Sequence, residues 1–265
     1  MDKISASSMR IAIISDIHAN PKALEDVLAD ARRQGCERII CLGDIVGYGY
    51  DPVSCIDLCR KNDVKCLLGN HDAGLVGKLG LSWFSDTACN GILRHRPLVD
   101  EERKNWLKSL PYRYKESFGA WRACFSHGTM EFPEEFNYIQ GMGDASLEMS
   151  LMSSASVDLL FIGHTHYAEA FGKDVDDGLY NMDTINAPDL TINPNHYKQL
   201  VVNVGSVGYP RNQSSTFYVI FDTEEQMIHY RSLPFDFDGY VKELQKAKIH
   251  LPAWVKRKME GEGEC

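Results

Sequence analysis

Five apolar segments of strand length in this chain each run directly into aspartate, asparagine or histidine. In order, they are RIAIIS before Asp16-Ile17-His18, RIICL before Gly43-Asp44, VKCLL before Gly69-Asn70-His71-Asp72, RACFS before His127-Gly128, and LLFI before Gly163-His164-Thr165-His166. Short apolar runs of this kind predict buried strands. Because the carboxyl ends of strands in an open sheet are the usual place for a ligand, the pattern predicts one polar site assembled from five strand ends.

Strands alternate with helices over the first 110 residues. Asn20-Pro21 and Asp51-Pro52 each combine a helix N-cap with proline at the first helical position, and the resulting β-α-β-α-β order implies a largely parallel sheet. Short strands follow from residue 112 onward, so we expect one mixed α/β domain, spanning 1–265, built on two sheets. It carries a helical insert near 73–110 and an exposed excursion near 173–198.

Charge and composition exclude several functions. Lys and Arg number 28 against 37 Asp and Glu, and the net charge of −9 opposes broad binding to nucleic acid or anionic membranes. No apolar run approaches the roughly 20 residues of a membrane span, and the first residues lack a signal-peptide core. The expected location is the cytoplasm, with the eight cysteines as thiols, and the oligomeric state is open.

The basic cluster Arg94-His95-Arg96 is expected to be a solvated helix end rather than a contact with an anionic substrate.

The residue types at the strand ends are those that bind divalent transition metals. Imidazole, carboxylate and amide ligands together suit manganese, iron, zinc, cobalt or nickel, whereas an all-oxygen set would indicate magnesium or calcium. Side chains two positions apart on an extended stretch share a face, so Asp16 and His18 are expected to point the same way, as are His164 and His166. One such pair says little, but five motifs after five strands predict a metal site.

These five motifs, in this order, resemble those of the calcineurin-like metallophosphoesterase family over about residues 10 to 222. The resemblance implies an α/β (α+β) fold, a four-layer αββα sandwich of two mixed β-sheets flanked by helices. It also implies two divalent metal ions, with manganese expected and iron, zinc, nickel or cobalt as alternatives. The ligands it implies are Asp16, His18 and His166 for one ion and Asn70, His127 and His164 for the other, with Asp44 bridging both.

The reaction that the resemblance implies is metal-dependent hydrolysis of a small phosphate ester. A hydroxide bridging the two ions is the expected nucleophile, since two cations lower the pKa of a shared water. Asp44 and His71 are the expected catalytic residues, with His71 stabilising the transition state or protonating the leaving oxygen. Asn70, His71 and Arg211 are expected to contact the substrate. Asp72 either orients a neighbouring group or caps the following turn.

The second motif departs from that of the family's protein serine/threonine phosphatases, which usually read Gly-Asp-x-x-Asp-Arg-Gly. Here the segment is Gly43-Asp44-Ile45-Val46-Gly47-Tyr48-Gly49, so Gly47 replaces the aspartate that would support His71, and Tyr48 replaces the phosphate-binding arginine. The segment is instead similar to the small prokaryotic phosphodiesterase and dinucleoside-tetraphosphatase-like branch. That branch also carries a sequence like residues 203–211 (NVGSVGYPR), in which Arg211 either meets a phosphate or is solvated.

The favoured function is therefore that of a phosphodiesterase. One alternative is a phosphomonoesterase, either a protein phosphatase or a dinucleoside-polyphosphate hydrolase. The other is a catalytically silent scaffold of the same fold, which would have lost metal-ligating positions or the histidine of Gly69-Asn70-His71, and all of these are present.

Overall fold

The computed structural model describes residues 9–184, 187–211 and 215–260. The expectations about the N-terminal residues and about Cys265 fall outside these ranges. Within them, none of the helices combines the length and the apolar character that crossing a membrane requires.

Twelve strands and eight α-helices form over the described residues. The strands are β1 (Arg10–Ile14), β2 (Cys36–Cys41), β3 (Lys65–Cys66), β4 (Arg113–Phe118), β5 (Trp121–Ser126), β6 (Leu159–Ile162), β7 (Ala168–Asp174), β8 (Leu179–Asp183), β9 (Thr191–Ile192), β10 (Tyr197–Val204), β11 (Ser215–Asp222) and β12 (Met227–Pro234). The helices are α1 (Pro21–Arg33), α2 (Pro52–Lys61), α3 (Asn70–Leu75), α4 (Asp86–His95), α5 (Glu101–Ser109), α6 (Met142–Ser154), α7 (Phe237–Lys246) and α8 (Ala253–Met259).

The strands form two mixed six-stranded sheets in this part of the chain. The first has the order β3-β2-β1-β11-β12-β9, in which β1 is parallel to β2 and antiparallel to β11. The second has the order β4-β5-β6-β10-β7-β8, in which β6 is parallel to β5 and β10, whereas β7 is antiparallel to β10. The neighbouring parallel strands β1, β2 and β3 are those that the first 110 residues predict.

The two predicted helix starts are present and lead the chain away from the strand ends. Asn20 Oδ1 accepts a hydrogen bond from Ala23 N–H at 3.3 Å, and Asp51 Oδ1 accepts one from Ser54 N–H at 2.9 Å. These caps satisfy backbone N–H groups that the first helical turn leaves free. The residues between each strand and its helix cap are thereby left at the edge of the sheet.

The core between the sheets is a layer of aromatic and aliphatic side chains. Phe161 of β6 stacks on Phe125 of β5 with ring centroids 5.2 Å apart, and it meets Phe221 of β11 across the interface at 5.9 Å. A second apolar cluster joins the outer face of the first sheet to α1 and α2, and a third joins the outer face of the second sheet to α6. The layers of helix, sheet, sheet and helix confirm the predicted αββα sandwich.

The strands β7, β8 and β9 are not predicted by the sequence pattern. The segments AEAFGKD of β7 and LYNMD of β8 contain no β-branched residue, so pairing with neighbouring strands rather than intrinsic propensity makes them strands. The stretch 173–198, expected as an exposed excursion, therefore includes an edge strand of each sheet, β8 and β9. Four of the five residues of β8 are exposed, as expected for this stretch.

Candidate functional site

The five predicted strand ends meet at one edge of the sandwich. The residues that follow β1, β2 and β3 come from the first sheet, and those that follow β5 and β6 come from the second. Asn70 is half-buried there. Seven aspartate and histidine side chains at this edge are at most 4% exposed: Asp16, His18, Asp44, His71, His127, His164 and His166.

One group of electron-pair donors is formed by Asp16, His18 and His166. The Nε2 atoms of His18 and His166 lie 3.1 Å apart, and Asp16 Oδ1 lies 3.5 Å and 3.2 Å from them, respectively. The two Nδ1 atoms lie 3.0 Å and 2.7 Å from the backbone carbonyl oxygens of Val46 and Tyr209. Because a carbonyl oxygen only accepts hydrogen bonds, each Nδ1 carries the hydrogen. Both Nε2 lone pairs therefore face the same space as the Asp16 carboxylate.

A second group is formed by Asn70, His127, His164 and Asp44. His127 Nε2 lies 3.1 Å from Asn70 Oδ1, 3.1 Å from His164 Nδ1 and 3.4 Å from Asp44 Oδ2. His127 Nδ1 lies 3.2 Å from the carbonyl oxygen of Leu42, so its Nε2 also presents a lone pair. Oxygen and nitrogen atoms from four side chains therefore converge on a second point.

Asp44 lies between the two groups. Its Oδ2 is 3.7 Å from His18 Nε2 and 3.4 Å from His127 Nε2. Three hydrogen bonds fix the residue: Oδ1 accepts from His71 N–H at 2.8 Å, the backbone carbonyl accepts from His18 N–H at 2.9 Å, and the backbone N–H donates to Asp72 Oδ2 at 2.9 Å. Asp44 Oδ2 is thereby left facing both groups of nitrogens.

These residues fit a divalent metal centre. Lone pairs that converge in this way repel one another unless a proton or a metal ion lies among them. Asp16 Oδ1, which faces the first group, is buried with no hydrogen-bond partner among the described residues. Burial opposes protonation of His127, yet the carboxylates of Asp44, Asp16 and Asp72 together outweigh burial and raise the pKa of His127 to about 9. The three carboxylates thus favour a positive charge beside His127, and mixed nitrogen and oxygen ligands suit a divalent transition metal.

The backbone at the site is not extended, so the argument from side chains sharing a strand face is wrong. The φ angles of Asp16, His18, Asp44, His164 and His166 are 55°, 46°, 56°, 70° and 71°, all in the left-handed region. Such conformations cost non-glycine residues roughly 1–3 kcal/mol each and persist where the surroundings impose them. Asp16 and His18 do approach a common point, but through left-handed turns rather than through β alternation.

Asp72 has both of the roles that the sequence left open. Its carboxylate accepts hydrogen bonds from the backbone N–H groups of Asp44 at 2.9 Å, Val46 at 3.1 Å and Ile45 at 3.3 Å. It also accepts from Gly69 N–H at 3.1 Å, at the start of α3. Asp72 therefore caps α3 and ties the loop after β2 to the loop after β3.

Gly47 leaves no room for a side chain beside His71. A Cβ atom at position 47 would lie 2.1 Å from His71 Nδ1, and this nitrogen has no hydrogen-bond partner in the part of the chain that the structure describes. The Tyr48 ring lies 4.6 Å from the His71 ring and stacks on Tyr209 at 4.2 Å. The Tyr48 hydroxyl lies 3.4 Å from Nη2 of Arg211. The structure therefore places Arg211 at the rim of the site, next to the tyrosine that replaces an arginine.

The expectation that His95 is a solvated helix end is wrong, because its ring is fully buried. His95 Nδ1 accepts a hydrogen bond from Gly47 N–H at 3.1 Å, and Nε2 lies 3.1 Å from the carbonyl oxygen of Gly49, to which it donates. The neighbouring Arg94 donates to the carbonyl oxygen of Tyr48 at 2.7 Å. The end of α4 thus holds the loop that carries Tyr48.

A signal for this burial was present in the sequence. Ala88, Ile92 and His95 recur at the spacing of one helix face, and all three are buried in α4. The charged neighbours Arg94 and Arg96 concealed this spacing.

Together with the match to a family model, the group of carboxylate and imidazole side chains at the joint edge of the αββα sandwich shows that the chain is a metallophosphoesterase, an enzyme that hydrolyses phosphoric ester bonds. The family model described as the calcineurin-like phosphoesterase superfamily domain matches residues 9–226. The chain therefore belongs to the calcineurin-like phosphoesterase superfamily, as its motifs predict.

Individual proteins are similar over nearly the whole chain. An uncharacterized protein of Methanocaldococcus jannaschii, MJ0912, is 32% identical over 246 residues, which are 92% of this chain and 95% of that protein. The crystal structure of a metallophosphoesterase from Sphaerobacter thermophilus is 28% identical, with a TM-score of 0.77 over 95% of this chain and 98% of that one. The hypothetical protein PH1004 from Pyrococcus horikoshii, 17% identical with a TM-score of 0.71 over 94% and 96% of the two chains, shares the fold.

We predict that His95→Gln removes a pH-dependent part of the stability. Burial, reinforced by the charge of Arg94, lowers the pKa of His95 to about 4 from an ordinary value of 6.5. Between these values the unfolded chain takes up a proton that the folded chain excludes, so the free energy of unfolding decreases as the pH falls from about 6.5 towards 4. His95 contributes a slope of up to about 1.4 kcal/mol per pH unit, which urea unfolding of the metal-free protein at several pH values measures.

Glutamine is the matched replacement, because its amide can accept from Gly47 N–H and donate to the Gly49 carbonyl without titrating. His250→Gln, at an exposed position, is the control and should follow the wild-type curve. Equal pH slopes for the wild type and His95→Gln would contradict the prediction.

Proposed function

We propose that the protein hydrolyses phosphodiesters at a centre of two divalent metal ions. The observation that carries the proposal is the presence of two separate ligand groups on either side of one shared carboxylate. Within each of the triads Asp16-His18-His166 and Asp44-His127-His164, the ligand atoms all lie within 4.8 Å of one another. Two groups joined by Asp44 Oδ2 support two ions rather than one.

The proposed ligands follow from these groups. Manganese is the proposed metal, and iron, zinc, nickel and cobalt suit the same mixture of nitrogen and oxygen atoms. The assignments are Asp16, His18 and His166 for one ion and Asn70, His127 and His164 for the other, with Asp44 bridging both.

When bound, the two ions supply positive charge to the phosphoryl oxygens and lower the pKa of the attacking water. The bridging hydroxide expected from the sequence stays a prediction. Asp44 is assigned a catalytic role because its position fixes the spacing of the two ligand groups. Asn70 and Arg211 are proposed to bind the phosphate, since their N–H groups can donate to its oxygens.

His71 is assigned to proton transfer rather than to metal binding. Its Nε2 lies 4.0 Å from Asp44 Oδ2, farther than the Nε2 atoms of His18, at 3.7 Å, and His127, at 3.4 Å. This leaves His71 at the border of the ligand set, although its Nε2 is close enough to form a triad with His18 and Asp44. We propose that Nε2 carries the proton for the leaving oxygen, with contact to the substrate phosphate.

The surroundings of His71 support a diester as the substrate. Tyr48 and Phe84 place aromatic rings 4.6 Å and 5.3 Å from the His71 ring. An apolar wall accepts an uncharged ester substituent better than a charged oxygen. A diester also carries one negative charge and a monoester about two, so an arginine missing at position 48 matters more to the monoester.

Hydrolysis of phosphomonoesters, as by a protein phosphatase or a dinucleoside-polyphosphate hydrolase, is the second candidate. One observation favours it: the Arg211 guanidinium beside the Tyr48 hydroxyl places a cation close to the position of the missing arginine. The two candidates share the metal ligands and differ in what the rim of the site binds.

We predict that Asp44→Asn removes at least one metal ion and abolishes turnover. The amide loses the negative charge that holds both ions, while the shape of the side chain is kept. Elemental analysis and turnover of bis(p-nitrophenyl) phosphate check this, with Asp57→Asn, a surface residue paired with Arg103, as the control. Two bound metals and wild-type turnover in Asp44→Asn would show that the shared-ligand assignment is wrong.

We predict that His71→Ala keeps both metal ions but lowers kcat by roughly 10²–10⁴-fold, the usual contribution of a general acid. The physical reason is that the leaving oxygen loses its proton donor while the two ligand groups stay intact. Metal content and kcat are measured on the same preparation, with His250→Ala as the exposed control. Loss of metal together with the side chain would instead make His71 a ligand.

We predict a higher kcat/KM for bis(p-nitrophenyl) phosphate than for a phosphopeptide, with manganese supplied to both assays. The aromatic wall beside His71 and the single rim arginine are the reasons. A phosphopeptide value well above that of the diester would favour the second candidate function.

A further inference from the structure

Tyr138 presents an open aromatic face beside the proposed metal centre. Its ring stacks on the imidazole of His164 with centroids 3.8 Å apart and an angle of 7° between the planes. One face of the phenol is therefore covered by a proposed metal ligand. The residue is nevertheless 44% exposed, so the opposite face is turned to the outside of the site.

The loop that carries Tyr138 is anchored on both sides. Phe136 is 6% exposed and Ile139 is 1% exposed, so the neighbours of Tyr138 are buried in the protein. Thr129 N–H donates to the carbonyl oxygen of Asn137 at 3.2 Å, and a Cβ atom at Gly128 would lie 2.5 Å from the same oxygen. The loop is thus pressed against the residues that follow His127, and the exposed ring occupies a fixed position.

We infer that the open face of Tyr138 stacks with a flat aromatic group of the substrate, which makes aryl or nucleoside phosphate esters the substrate class. The inference rests on the proposed function. A phosphodiester bound near His164 carries each of its two organic substituents on one bridging oxygen, so a ring on either substituent can reach the side chain that covers His164. With the imidazole on one face and the substrate ring on the other, Tyr138 lies at the centre of a three-ring stack.

The test compares two product-like ligands that share a phosphate and differ in the ring. Binding constants of phenyl phosphate and methyl phosphate are measured by calorimetry on the manganese-loaded protein, and as inhibition constants where turnover is present. The wild type should bind phenyl phosphate roughly ten-fold more tightly than methyl phosphate, the scale of one stacked ring. A second pair, adenosine 5′-monophosphate and ribose 5-phosphate, distinguishes a nucleobase from a simple aryl group.

Two variants separate stacking from shielding of His164. Tyr138→Phe keeps the ring and should retain the tighter binding of the ligand that carries a ring. Tyr138→Leu keeps apolar cover on His164 but removes the ring, and it should reduce this difference in binding constants roughly ten-fold in at least one pair. Methyl phosphate affinity and metal content should stay at wild-type values in both variants.

An unchanged preference in Tyr138→Leu for both pairs would overturn the inference. A parallel loss of affinity for both members of each pair would also overturn it, because Tyr138 would then only protect a metal ligand. Failure of the proposed function looks different: the wild type would turn over no ester with any metal, while the calorimetric comparison would still decide the role of Tyr138.

Discussion

The position of one carboxylate oxygen, Asp44 Oδ2, determines the geometry of the site. Three hydrogen bonds, to His71, His18 and Asp72, occupy the other polar atoms of Asp44. His18 belongs to the motif after β1, and His71 and Asp72 belong to the motif after β3, so moving Asp44 would displace both of these loops together. The shared oxygen faces ring nitrogens from both sheets, and each ligand group combines side chains from both, so the packing of the sheets sets the geometry within each group.

Forming the site costs conformational free energy, and the packing of the sandwich offsets this cost. Five of the proposed ligands adopt left-handed backbone conformations, and the carboxylate and imidazole groups of both ligand groups are crowded together in the protein interior. Such an arrangement persists only when rigid surroundings impose it. The rigidity comes from the stacked Phe125 and Phe161 between the sheets and from Asp72, whose carboxylate binds four backbone N–H groups of two loops.

The sequence predicts the sandwich and the set of side chains at its edge, because both follow from a local pattern of apolar runs that are followed by residues able to bind a metal. It does not predict how those side chains converge, since a left-handed φ at Asp16 depends on contacts with Gly43, His164 and Gly208 that local propensity does not contain. The spacing of Ala88, Ile92 and His95 indicates the burial of His95, but it does not predict the partners Gly47 and Gly49, which are more than forty residues away. Tyr138 carries no sequence signal, since stacking on His164 is a purely tertiary contact.

The division between strand ends and loops suggests how this site can bind one ester rather than another. The proposed metal ligands follow strands whose spacing the two sheets fix, so they leave little freedom for adjusting to a substrate. The groups at the rim come instead from three separate connections: Tyr48 after β2, Tyr138 after β5 and Arg211 after β10. Contacts outside the sheet ladders position each of them. The hydrogen bonds of His95 and Arg94 hold the loop that carries Tyr48. The anchored loop after His127 carries Tyr138, and the Tyr48 hydroxyl accepts a hydrogen bond from Arg211. A change at any one of them can alter which organic group fits beside the phosphate while the shared carboxylate and its two ligand groups stay as they are.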